Sequence, residues 1–137
     1  MKPRDLFLPR AFIVGPYLAL CTTEEMFNSL LDYIDTPKEG RPKWVSDGAH
    51  ATTHTIDQEV EGQRKVISVV CLAKPPKGIT GVDIAALLVH EAVHVWQNAM
   101  ADINEDSPSK EFEAYSIQAI SANLMNAYVE QTQRKRK

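Results

Sequence analysis

Cysteine, histidine and long apolar runs are all scarce in this 137-residue chain, and each scarcity excludes something. Two cysteines, Cys21 and Cys71, cannot build a disulfide scaffold and read as buried thiols in a reducing compartment. The longest uncharged apolar run near the middle, Ile84 to Val89, falls far short of the roughly 20 residues of a membrane helix, so no membrane partner is expected. Internal repeats and low-complexity segments are absent as well. Only four histidines occur, which gives weight to any pattern that uses two of them. What is present is ordinary: 44% hydrophobic and 24% charged residues, the balance of a folded rather than a disordered chain. The length suits one domain with a real core.

Charge is uneven although the total is only −3. The last four residues, Arg134, Lys135, Arg136 and Lys137, are all basic, so the body is clearly acidic and no nucleic-acid partner is expected. A single domain over residues 1–130 with a solvated basic tail, 131–137, is the simplest organisation. Near the start, Lys2, Arg4 and Arg10 precede a mostly apolar stretch that ends at Cys21 and imitates an export signal. Asp5, the Gly15-Pro16 pair and bulky Leu20 argue against that, and the stretch is expected to be folded structure.

Thr22-Thr23-Glu24-Glu25 fits a capping box with Thr22 as N-cap, opening a helix to about Ile34 with Phe27, Leu30, Leu31 and Ile34 on one face. Two strands are predicted at Ala49 to Ile56 and Lys65 to Leu72, joined as an antiparallel hairpin across a longer acidic loop. A helix follows from about Val82 to Met100, with Asp83 in its first turn. Ser107-Pro108 reads as N-cap and N1 of a last helix to about Glu130. Helix, two strands and two helices after an irregular arm make a small α+β domain with a small antiparallel sheet.

The central helix contains His90-Glu91-Ala92-Val93-His94. Histidines at i and i+4 share one helix face, close enough for both imidazoles to reach one Zn²⁺, and the intervening glutamate can act as general base. Random placement of four histidines and ten glutamates gives this pattern in on the order of 1% of such chains. With His90 set at 0°, His94 falls at about 40° and Glu91 at about 100°, while Ala92, Val93 and Trp96 lie opposite. A packed back and a front of ionisable groups are expected. A catalytic zinc takes a third protein ligand. His50 and His54 are also four apart, but on a strand that is about 13 Å, too far for one ion. On the last helix Glu113 projects to the centre of the stripe formed by Ile117, Ile120, Leu124, Ala127 and Tyr128, where a metal would balance its charge. Glu111, on another side of that helix, is the alternative third ligand.

The motif followed by a helix-borne glutamate 19 residues on resembles the gluzincin branch of the HExxH zinc metallopeptidases, the zincins. Gln97 and Met100 stand where metzincins have a glycine and a histidine. The longer strings His90 to Gln97 and Glu111 to Gln118 are similar to small metallopeptidases encoded by phages and prophages. The resemblance covers about residues 87–120. It implies a minimal zincin-like domain in which His90, His94 and Glu113 bind zinc and Glu91 activates a metal-bound water against the carbonyl of a peptide or protein substrate. It also implies an edge strand that pairs with extended substrate, here one of the two predicted strands. A gluzincin aspartate that orients a ligand histidine has no counterpart, leaving Asp83 or Asp102 as substitutes. Tyr115, Tyr128, His50 and His54 are the candidates for stabilising the transition state. The expected setting is a bacterial host cytoplasm or a virion. The alternative from another class is a metal-stabilised structural or interaction protein of phage or prophage origin, without protease activity.

Overall fold

The computed structural model describes residues 1–9 and 16–134, with the side chains of residues 60 and 134 left aside. A short 3₁₀ turn, Pro3–Leu6, leads into β1 (Phe7–Leu8); then come β2 (Tyr17–Cys21), α1 (Glu24–Tyr33), β3 (Ala51–Val60), β4 (Gln63–Leu72), α2 (Gly81–Asp102) and α3 (Lys110–Arg134). The four strands form one sheet in the order β1-β2-β4-β3. No helix among the described residues is long and apolar enough to cross a membrane.

The α+β class stands as expected, but the sheet is mixed rather than antiparallel. The N-terminal arm, expected to be irregular, supplies an inner strand: β2 runs parallel to β4, with Leu18 opposite Ser68 and Cys21 opposite Cys71. Its sequence, Tyr-Leu-Ala-Leu-Cys, lacks the polar alternation of a half-exposed strand because both of its faces are covered. Residues 10–15 of the same stretch lie outside the described region.

Side-chain alternation sorts the core into two layers. Ala19, Cys21, Ile67, Val69 and Cys71 point to one face, where α1 covers them with Phe27, Leu30, Leu31 and Ile34. Leu18, Leu20, Val70 and Leu72 point to the other, against Leu88, Ala92, Val95 and Trp96 of α2 and Ile120, Leu124 and Ala127 of α3. The His90-Glu91-Ala92-Val93-His94 motif therefore sits on a helix pressed to the second face.

The hairpin between β3 and β4 is tighter than the sequence suggested. Glu61 and Gly62 form a two-residue turn with φ of 53° and 79°, the doubly positive pattern of a type I′ turn, and register continues to Val60 opposite Gln63. Asp57, expected in a loop, is in the strand and accepts Nε and Nη2 hydrogen bonds from Arg64 across the hairpin. The charged residues fit a strand here because this end of the sheet faces solvent.

Helix starts moved by one or two residues for local reasons. Thr23, not Thr22, caps α1, accepting from Met26 N at 3.1 Å, while the Thr22 hydroxyl donates to Gln131 Oε1. Ser109 caps α3 by accepting from Phe112 N. That helix continues past the expected boundary at 130, since Gln131 is buried and its amide donates to Leu20 O. Of the expected tail, residues 135–137 lie outside the described region.

A capping box opens α2: Thr80 Oγ1 accepts from Asp83 N, and Asp83 Oδ2 accepts from Thr80 N at 2.9 Å. Those bonds, backbone first, hold the Asp83 carboxyl below its ordinary value. A depressed folded pKa adds stability above the ordinary carboxylate range and loses it as pH falls through the folded value. Thr80→Ala should cost about 1 kcal/mol at neutral pH. The gap in melting temperature between wild type and Asp83→Asn should narrow on acidification, measured by thermal denaturation from pH 7 to pH 3; a gap independent of pH would contradict this account.

Candidate metal centre

The face of α2 that meets the sheet carries Leu88, Ala92, Val95, Trp96 and Ala99, all buried. His90 and His94 lie on the opposite, exposed side. The helix thus has the expected packed back, but its front opens to solvent. Glu91 stands at the margin between the two. Its side is turned toward β3, and it is 4% exposed.

The two imidazoles meet on the open side. Their Nε2 atoms are 3.1 Å apart and their rings nearly perpendicular, at 79°. Two nitrogens bound to one tetrahedral ion at ~2.0–2.1 Å would be separated by about 3.3 Å. The histidine pair therefore already has the bite of a metal chelate. His94 Nδ1 lies 3.3 Å from Gln97 Oε1, and an Nδ1–H donating there leaves the Nε2 lone pair for a metal. Gln97, and no aspartate, is the side chain bonded to His94 Nδ1. Neither substitute is nearby: Asp83 is in the helix cap, and Asp102 accepts from Arg64 at 2.7 Å.

Glu91 Oε2 accepts a 2.5 Å hydrogen bond from Thr53 Oγ1. The register explains this contact. Ala51, Thr53 and Thr55 alternate toward α2, whereas His54 and Ile56 point to α1. A buried carboxylate needs such a donor, and Thr53 ties it to a strand. Between β3 and α2 lies an open cleft of about 360 Å³, lined by His90, Glu91, His94 and Asn98 on one side and Ala51 to Thr53 on the other. Of the two strands expected to pair with substrate, β4 is flanked on both sides, and β3 is the outer strand of the sheet among the described residues.

The glutamates of α3 are placed differently from the expectation. The buried stripe of that helix begins at Ser116, and Glu113 lies one turn before it, exposed. There its Oε2 accepts from Trp96 Nε1 at 3.1 Å, beside the edge-on contact of Trp96 with Phe112. It lines a cavity with Val93, Trp96 and Gln97, next to the histidine cleft and not part of it. Glu111 is exposed and has no hydrogen bond or ion pair among the described residues. No group of three or more His, Cys, Asp or Glu side chains poised to hold a metal occurs among the described residues.

The four residues considered for transition-state stabilisation do not line the cleft. His54 stacks on Phe27 across the sheet, with Nε2 at 2.9 Å from Trp44 O. His50 is on the rim of an apolar hollow with Ile84 and Leu87. Tyr115 is exposed, and Tyr128 lines a cavity with Trp44 and Thr22. The two cysteines are buried on the α1 side of the sheet, and the Cys21 contact, burial and the charges of Cys21 and Glu91 push the Cys71 thiol well up. Sequence reasoning missed Thr53, Gln97 and Asn98. Gln97 and Asn98 carried a signal, at i+3 and i+4 from His94. Thr53 carried none, since its role depends on how the hairpin docks on α2.

No protein-family model matches the chain, and no curated protein or solved structure matches it.

Proposed function

We propose that the chain is a zinc-dependent peptide-bond hydrolase with a minimal zincin-like architecture. The observation that carries this reading is the Nε2 separation of 3.1 Å between His90 and His94, beside the buried carboxylate of Glu91. His90 and His94 would hold the metal, the latter oriented by Gln97. Glu113 is the proposed third ligand on the resemblance; its carboxylate lies against Trp96, outside the histidine cleft, and would have to leave that contact to reach the ion. A zinc ion held there supplies positive charge that polarises a carbonyl and acidifies water. Glu91, fixed through one oxygen by Thr53, accepts a proton from the attacking water and returns it to the leaving amine. The outer edge of β3 offers backbone donors and acceptors to an extended peptide beside these groups.

A second reading, a metal-stabilised structural or interaction protein of phage or prophage origin, draws on the position of Glu113 outside the histidine cleft. One experiment separates the two. Zinc-loaded protein is incubated with a mixed peptide library and the products are read by mass spectrometry. Cleavage that stops with a chelator and returns with zinc is expected. Stoichiometric zinc without any cleavage would favour the second reading.

A further inference from the structure

No candidate catalytic or ligand residue from the sequence lines the cleft apart from His90, Glu91 and His94, yet the fold brings one more polar side chain of α2 there. Asn98 continues the stripe of His90 and His94 on α2, at about 80° when His90 is at 0°. Its Nδ2 donates to Thr55 Oγ1 at 3.0 Å. That bond uses one of two N–H groups; the other, and Oδ1, have no partner among the described residues. Thr55 lies on β3 two residues from Thr53, so one strand fixes both Asn98 and Glu91. Asn98 is also the one residue shared by the cleft of about 360 Å³ and a neighbouring polar cavity of about 260 Å³ that holds Arg64 and Asp102.

An oriented amide with a free donor and a free acceptor matches the peptide group, which presents one of each. Distance decides which peptide group. Asn98 is four residues past His94, about 6 Å along the helix axis. An extended chain covers that span in about two residues, at ~3.3 Å each. The attacked carbonyl at the histidines is therefore out of its reach, and a neighbouring one is within it. On this side Arg64 is already paired with Asp57 and Asp102, and the Lys65 ammonium donates to the Tyr17 hydroxyl at 3.2 Å.

We propose that Asn98 is a substrate-binding residue whose side-chain amide pairs with a backbone peptide group about two residues from the bond that is cut. The substrates are then extended polypeptide segments rather than dipeptides. This inference rests on the peptidase reading. Its test compares zinc-loaded wild type and Asn98→Ala on a blocked dipeptide and a blocked hexapeptide that share the scissile pair. For the hexapeptide kcat/KM should fall about three- to tenfold, the worth of one net hydrogen bond, and for the dipeptide it should not change. An equal fall on both lengths, or none on either, overturns the role. If wild type cleaves neither peptide, the peptidase reading fails and a binding measurement still decides on Asn98. The hexapeptide is then titrated into ¹⁵N-labelled protein. A shift of the Asn98 side-chain NH₂ pair, identified by its loss in Asn98→Ala, supports the contact. An unmoved pair excludes it.

Discussion

Glu91→Gln should abolish most hydrolysis, by roughly 10²–10⁴-fold in kcat, while leaving zinc content and melting temperature close to wild type. The argument is local. Glutamine keeps the shape of the side chain, its carbonyl oxygen can still accept from the Thr53 hydroxyl, and its NH₂ replaces the carboxylate oxygen that Thr53 does not hold, in a residue that lines the open cleft. What it loses is proton affinity. A carboxylate can take a proton from water and return it; an amide cannot. The distinguishing measurement is zinc by mass spectrometry beside turnover on the same preparation. A variant that is fully loaded and fully active would remove Glu91 from the chemistry. Thr53→Val should give a smaller loss in the same direction, because it frees the carboxylate without removing it.

The second large effect concerns the metal. Zinc that binds only the folded chain stabilises it by about 4 kcal/mol at a thousandfold excess over the dissociation constant. For a domain of this size that is roughly 10–15 °C in melting temperature. In His94→Ala the increment should vanish, since the remaining histidine has lost the partner 3.1 Å away that makes the pair a chelate. His94 is exposed, so the metal-free variant should fold and melt near metal-free wild type, which separates ligand loss from unfolding. Glu113→Ala should reduce the increment less sharply. Trp96→Phe is informative beside it: the indole donor now held by Glu113 is gone, so zinc affinity should rise if that carboxylate is a ligand. An undiminished zinc increment in both His94→Ala and Glu113→Ala would refute the site.

Legibility in the sequence followed the range of the interaction. His90, Glu91 and His94 were readable because their relation is set within one helical turn. The packed back of α2 was readable for the same reason, from Ala92 and Trp96. The type I′ turn at Glu61-Gly62 was missed because its flanking strand ends are charged, and the backbone sign at Glu61 leaves no mark in residue type. β2 was missed because a strand covered on both faces shows no alternation, and its partner β4 lies about fifty residues on. Glu113 illustrates the limit most clearly. Its projection onto the buried stripe was correct as angle and wrong as depth, since burial of α3 begins only at Ser116, a fact of how two helices dock. Thr53 belongs to the same class.

The position of β2 makes Tyr17–Cys21 indispensable in a way their composition conceals. Tyr17–Cys21 pairs along the side of β4 that β3 does not cover. Truncation after Cys21 would leave Ile67-Ser-Val-Val-Cys-Leu72 with an unpaired row of backbone donors and acceptors and no charge to guard it. Such an edge is a template for intermolecular pairing, so forms lacking β2 should be lost to aggregation before any change at the histidine cleft could be observed.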